Sequence, residues 1–263
     1  MKLLSYNLYG VKNTNFPIPK WENRIKNIEK ILHMLLSDDT IKVCCFQEVN
    51  ETNIELLTYL LKNHKFQILD KFPMKTESFD QYNLVAIKEE DSLRNIAVTC
   101  IPHGTDFAYK PVKEQNIDYG MSDYRTTVFV SFEYQMHSYL IGNIHTDYIS
   151  TEGKIKGTIK SLNYMDCMSA EYKLLVGDLN MVSHMSEVYF ILKQKQNYTT
   201  LSRNKQFDVS DNSWHGYGTK EQVNVDFAFL ETNISDQVEY KIIKQNNIFD
   251  EGSDHRPILL EFL

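Results

Sequence analysis

Residues 173–180 read KLLVGDLN. Leu174, Leu175 and Val176 form a short apolar run that stops at Gly177 and then meets two polar residues, Asp178 and Asn180. A run this short and this apolar, closed by a glycine, reads as a buried strand rather than part of a helix. The same plan recurs along the chain. KLLSYNL (2–8) meets Asn7, VCCFQEV (43–49) meets Glu48, SYLIGNIHTD (138–147) reaches His145, and VNVDFAFL (223–230) carries Asp226. The last apolar run, PILLEFL (257–263), follows GSDH, with Asp254 and His255.

Helices fall between these runs. Trp21, Ile25, Ile28, Leu32 and Leu35 share one face of a helix expected over 22–37, and Pro17 and Pro19 keep it from starting earlier. Further helices are expected over 53–63, 152–169 and 184–195. FQILDKF, LVAIKEE and IAVTCIP read as successive strands, YRTTVFVSFEY (124–134) pairs with 138–147 as a hairpin, and VEYKIIKQ (238–245) is a late strand. The polar stretches 101–123 and 203–221 read as long loops, a length usually kept for function. Strands interleaved with helices and hairpins imply mixed sheets. Roughly ten or more strands exceed one comfortable twisted sheet. The expected fold is α/β (α+β): a single domain over 1–263, built as a four-layer αββα sandwich of two packed mixed sheets with helices outside.

With 263 residues, 42% hydrophobic and 24% charged, the composition is that of an ordinary globular protein that needs no staples. MKLLSYNLYG begins like an export signal, but Asn7, Gly10 and Lys12 interrupt its apolar core. No window approaches the roughly 18 apolar residues of a membrane span. The four cysteines form no CxxC pattern; Cys44 and Cys45 sit in an apolar run and read as reduced and buried, which suits the cytoplasm. A net charge of −7 with no Lys/Arg block argues against a tight, non-specific clamp on duplex nucleic acid. It leaves room for an enzyme that touches one phosphate at a metal.

Asp and Asn are common turn formers, so one polar strand end says little. Six are another matter if the ends share an edge. Glu48, Asp178, Asp226 and Asp254 would then crowd, and like charges raise one another's pKa. A divalent cation removes that cost. All-oxygen ligands favour Mg²⁺ or Mn²⁺ over zinc, and the histidines show no HxH or HExxH spacing.

SYNLYG, FQEV, NIHTD, VGDLN, SWHGYG, VDFAFL and GSDHRP occur in that order. Together they resemble the endonuclease/exonuclease/phosphatase family of metal-dependent phosphoesterases. Each motif alone is weak; the ordered set, spanning Asn7 to His255, is specific. The resemblance implies the αββα sandwich and carries roles residue by residue. Glu48 matches the metal-binding Glu of the QE motif, Asn7 the Asn beside the metal at the end of the first strand, and Asp254 the Asp of the terminal SDH motif, close to the metal. Asp178 matches the acid that positions or deprotonates the attacking water, and Asn180 the amide that holds substrate or water. His145 matches the histidine that meets the phosphate. Asp226 matches the acid that orients the last histidine, His255, which also faces the phosphate. Phe227 stands where the family's IDY-type motif has Tyr, and Leu179 where GDFN has Phe; neither change removes a catalytic group.

The implied activity is hydrolysis of a phosphodiester or phosphomonoester by in-line attack of water, with Mg²⁺ or Mn²⁺ as cofactor. EQVNVDF, in place of a PAWCDR-like stretch, disfavours the inositol phosphatases. The lack of an export signal disfavours secreted sphingomyelinases, and the SWHGYG loop and acidic balance disfavour the abasic-site nucleases. Nucleic acid stays among the candidate substrates; neither membrane insertion nor an obligate protein partner is implied. Arg125, opening a strand after a long loop, is a candidate phosphate contact, although arginines there are usually solvated. Trp214 and His215 lie in a loop similar to the TFHGF or TWHGF stretch of part of the family and are candidates to line the substrate pocket. His33, His64, His103, His137 and His184 read as ordinary surface or helix residues. The alternative is a non-catalytic module that binds phosphate or a partner on the same fold, against which the intact acid set argues.

Overall fold

The computed structural model describes residues 1–9, 19–75, 80–103, 125–201, 212–217, 223–245 and 252–263, without the side chains of 70–75 and 80. One six-stranded sheet contains β1 (Lys2–Asn7), β2 (Ile41–Val49), β3 (Phe66–Lys75), β4 (Asp80–Lys88), β11 (Val238–Ile242) and β12 (Ile258–Phe262), in the order β11-β12-β1-β2-β4-β3. The other contains β5 (Leu93–Pro102), β6 (Thr126–Tyr134), β7 (His137–His145), β8 (Tyr172–Asp178), β9 (Tyr198–Leu201) and β10 (Asp226–Glu231), in the order β5-β6-β7-β8-β10-β9. Each sheet has a single parallel pair, β1 with β2 and β7 with β8.

Alternation along the strands sorts side chains between layers. Leu3 packs between the sheets with Val43, Val85, Val130, Ile141 and Val176. Its neighbour Leu4 faces outward against Ile28 and Leu32 of α1 (Trp21–Leu36) and Leu57 of α2 (Glu51–Asn63). On the far side, Phe129, Leu175 and Phe227 meet Leu162 of α3 (Thr151–Cys167) and Val188 of α4 (Ser186–Gln194). Three apolar seams separate four layers, as expected for an αββα sandwich. Near the site the central seam turns polar. Gln47 Nε2 donates to Asn143 Oδ1 at 2.7 Å, and Asn143 Nδ2 donates to the carbonyls of Phe46 and Leu84, each at 3.0 Å.

The topology places the polar strand ends on one edge. Parallel β1 and β2 finish together, with Asn7 opposite Gln47. Parallel β7 and β8 finish with His145 opposite Asp178, and antiparallel β10 begins with Asp226 opposite the same Asp178. Strand β12 runs antiparallel to β1 and starts at Ile258 opposite Ser5, so the residues just before it come to that edge.

Some local details differ from the sequence reading. Helix α2 starts at Glu51 because Asn50 builds a capping box: its side chain accepts from the Thr52 and Asn53 amides, and Asn53 returns a bond to the Asn50 amide. In α1, Trp21 and Ile25 are only half-buried, while Arg24, Ile31 and Leu36 share the buried face. Strand β9 and a 3-10 helix at Thr232–Gln237 have no counterpart in the sequence reading. The hairpin is present as β6–β7. Most of the two long loops, 104–124 and 202–211 with 218–222, lies outside the described residues. Cys44 and Cys45 are buried, Cys100 is half-buried and Cys167 is exposed, and none of them forms a disulfide among the described residues. Among the described residues, no helix is long and apolar enough to cross a membrane.

His103 is a correction. It is neither a surface nor a helix residue but lies buried at the end of β5, with Nε2 2.8 Å from Thr127 Oγ1. Its ring fits there because α3 has Gly157 opposite; a Cβ at that position would come within 2.6 Å of Nδ1.

Candidate active site

Asp178, at the end of β8, is the hub. Its Oδ1 accepts the Asn180 amide at 2.8 Å, and its Oδ2 accepts Asn7 Nδ2 at 2.8 Å. His145 Nε2 and His255 Nε2 stand 3.6 and 3.7 Å from Oδ2. Asn7 Nδ2 also donates to Glu48 Oε1 at 3.1 Å, so one buried amide spaces two carboxylates. Glu48 reaches the cluster through a break in register between β2 and β4 at Phe46/Val49, with φ +53°. A bulge of this kind re-aims a side chain, and left-handed backbone at a non-glycine residue is strain held in place by its surroundings. Gln81 Nε2 holds the second Glu48 oxygen at 3.2 Å.

The two histidines are set to opposite charge states. Burial disfavours the His255 cation, but Asp226, Asp178 and Asp254 outweigh it and raise the pKa well above 6.5. Its Nδ1–H donates to Asp226 Oδ2 at 2.8 Å, which fixes the ring. His145 is pushed the other way, first by burial and then by the Arg125 cation, whose Nη1 lies 3.0 Å from Nδ1. His145 is therefore neutral, and its proximity to Glu48 and Asp178 is not ion pairing. Burial raises the Asp178 pKa to about 7 against the pull of His255. Glu48 is also raised, by burial and then by Asp254.

The structure brings Asn7, Glu48, His145, Asp178, Asn180, Asp226, Asp254 and His255 to this edge. Asn180 donates from Nδ2 to the Thr146 carbonyl at 3.1 Å and has φ +47°. Asp254 accepts Trp214 Nε1 on Oδ2 at 3.1 Å, while its Oδ1 is buried with no hydrogen-bond partner among the described residues and faces His255 Nε2 at 3.9 Å. Three residues have partners that the sequence did not indicate. Asn7 offers its N–H groups to the acids, and its oxygen accepts the Tyr9 amide at 2.9 Å, so here it orients Glu48 and Asp178. Arg125 is buried against His145 rather than solvated. His215 is fully buried and accepts the Tyr217 amide on Nδ1 at 3.1 Å; it shapes its loop, while half-buried Trp214 reaches the acids. Sequence reasoning missed Gln81 and Arg24. Gln81 lies at the start of β4, ahead of the apolar run LVAIKEE from which the strand was read, Arg24 lies within α1, and both types are usually solvated.

The donor set suits a hard divalent cation. Ligand atoms of Glu48, His145 and Asp178 lie within 4.8 Å of one another, as do those of Asp178, Asp226 and His255. An orphaned buried carboxylate oxygen on Asp254 and a raised Glu48 pKa are what a cation there would relieve. Asp178 belongs to both groups.

No family model matches the chain, and no curated relative matches it. Solved structures do. An endonuclease/exonuclease/phosphatase from Bacteroides vulgatus superposes with a TM-score of 0.72 at 15% identity, covering 100% of this chain and 98% of that one. A mannosyl-6-phosphatase from Bacteroides thetaiotaomicron gives 0.68 at 13% identity, covering 100% and 99%. TDP2 from D. rerio, complexed with a single-strand DNA product, gives 0.66 at 13% identity, covering 100% and 98%. The chain thus has the fold of the endonuclease/exonuclease/phosphatase proteins.

Proposed function

We propose that the chain is a divalent-metal-dependent phosphoesterase that hydrolyses a phosphodiester or phosphomonoester by in-line attack of water. The observation that carries this reading is the geometry at Asp178: a buried carboxylate held by Asn7 and the Asn180 amide, with His145 Nε2 and His255 Nε2 3.6 and 3.7 Å from its Oδ2, His255 backed by Asp226 and His145 by Arg125. Burial favours a proton on Asp178, so its carboxylate is suited to take one from water. Asn7 and the Asn180 amide fix its orientation. The water oxygen bonds to phosphorus as the ester P–O bond breaks, the leaving oxygen departs with the bonding electron pair, and one water proton passes to Asp178. The His255 imidazolium, held by Asp226, faces the charge that builds on the phosphoryl oxygens. His145 offers Nε2 to the same region, and Arg125 behind it adds positive potential.

Glu48 and Asp254 are the residues that would hold Mg²⁺ or Mn²⁺, with Asn7 orienting Glu48. When bound, the ion supplies Lewis acidity and neutralises the crowded carboxylates. Similarity to a sugar-phosphate phosphatase and to a DNA-processing protein keeps both substrate classes in view.

The test is a panel of bis-p-nitrophenyl phosphate, p-nitrophenyl phosphate and single-stranded DNA, with Mg²⁺, with Mn²⁺ and with EDTA. Cleavage that EDTA stops and His255→Ala abolishes supports the reading, and the preferred ester names the class. A panel with no metal-dependent cleavage rejects it.

A further inference from the structure

Arg24 lies on the buried face of α1 and is fully enclosed. Its Nε donates to the Gly252 carbonyl at 3.1 Å, and Nη2 donates to the Tyr9 carbonyl. The rings of Tyr9, Trp21 and Tyr217 lie 4.6, 5.2 and 5.8 Å from its guanidinium carbon. The guanidinium therefore joins three segments that each deliver a site residue. One is the end of β1 with the residues after it and carries Asn7, one precedes β12 and carries Asp254 and His255, and one carries Trp214.

The join is built on both sides. Tyr217 Oη donates to the same Gly252 carbonyl at 2.6 Å, so that oxygen receives two donors. Gly252 has φ +73°, and a Cβ there would lie 2.8 Å from the Ile28 amide nitrogen, so the turn rests directly on the α1 backbone. Ser253 Oγ then donates to the Asn7 carbonyl at 2.7 Å. A buried arginine is costly, and an apolar side chain would suffice to pack α1. The planar fork of donors is what an apolar residue cannot supply.

We propose that Arg24 is a positioning residue that clamps the Asn7 tip to the Asp254–His255 turn. It sets the spacing of the two ends of the site without touching substrate. The catalytic part of this inference rests on the phosphoesterase reading.

The test uses Arg24→Lys in the full chain, which keeps the charge but offers no fork. Amide hydrogen exchange is read beside hydrolysis of bis-p-nitrophenyl phosphate with Mg²⁺. The His215, His255 and Arg256 amides, bonded to the Asp254 carbonyl, Ser253 Oγ and the Ser213 carbonyl, should exchange about tenfold faster or more, with Cys44–Phe46 and Leu174–Val176 unchanged. The kcat should fall about tenfold to a hundredfold with KM little changed, the cost of a small misplacement. Wild-type exchange at those three amides, or an unchanged kcat, overturns the proposal. Should core exchange rise by the same factor, Arg24→Met decides, because it keeps the packing of α1 without a buried charge or a donor. Selective acceleration at the three amides then supports the clamp, and exchange at the wild-type rate or raised equally with the core overturns it. Exchange does not depend on turnover, so a wild type inactive on every ester would count against the phosphoesterase reading while the clamp was still judged.

Discussion

Of two histidines within 3.7 Å of one carboxylate, His255 is held as a cation and His145 as a neutral ring, because their second neighbours differ: an acid for His255, an arginine for His145. That asymmetry divides labour at the residue scale. Asp226→Asn keeps the shape beside His255 but removes the charge that supports its cation. It should lower kcat by about 10²–10⁴-fold, the usual worth of a positioned acid or base, in a steady-state assay. His103 gives a pH prediction away from the site. Burial, then Arg125 and Lys160, depress its pKa from 6.5 to about 3. The unfolded chain takes up that proton first, so its stabilising contribution is complete above pH 6.5 and is lost progressively as pH falls toward 3. Urea titrations should show wild type losing stability relative to His103→Gln between pH 7 and pH 4; parallel profiles would contradict a buried neutral imidazole.

Among the elements, the parallel pairs matter most, since they bring Asn7 beside the β2 end and His145 beside Asp178. Gly177 makes the second pair possible: its φ is +144°, and a Cβ would stand 2.0 Å from the Ile144 carbonyl. Gly177→Ala should therefore destabilise the protein by about 2 kcal/mol or more, combining a strained backbone with overpacking. Urea midpoints check this, and a neutral substitution would contradict the close approach of β7. The strands were legible because short apolar runs ending on acids, amides and histidines differ from helical spacing. Their convergence was legible through the ordered motifs. Arg24 was not, because spacing sorts residues by hydropathy and a buried guanidinium is defined by distant carbonyls. The same limit applies to His215, whose motif suggested a pocket wall but whose ring the Tyr217 turn encloses. Arg125, expected as a phosphate contact, could not be seen as the partner of His145, because β6 meets β7 only through the register of the sheet.

Across the whole molecule, the two halves of the site belong to different sheets: Asn7, Glu48, Asp254 and His255 with one, His145, Asp178 and Asp226 with the other. Their relative position depends on the seam. The Gln47–Asn143 bridge crosses it one residue from Glu48 and two from His145. Asn143→Ala would remove its three buried hydrogen bonds, to Gln47 and to the carbonyls of Phe46 and Leu84, at a cost of about 1 kcal/mol each. The kcat should fall more than stability alone explains; full activity in the folded fraction would contradict a role for the bridge in holding the halves together. The central claim is that Asp178, oriented by Asn7 and Asn180, drives metal-dependent hydrolysis at this shared edge. The most direct measurement is the initial rate on bis-p-nitrophenyl phosphate, for wild type and Asp178→Asn, with Mg²⁺ and then with EDTA. The account predicts a rate that EDTA abolishes and that Asp178→Asn lowers by about 10²-fold or more with the fold intact. A rate indifferent to EDTA, or retained by Asp178→Asn, would contradict it.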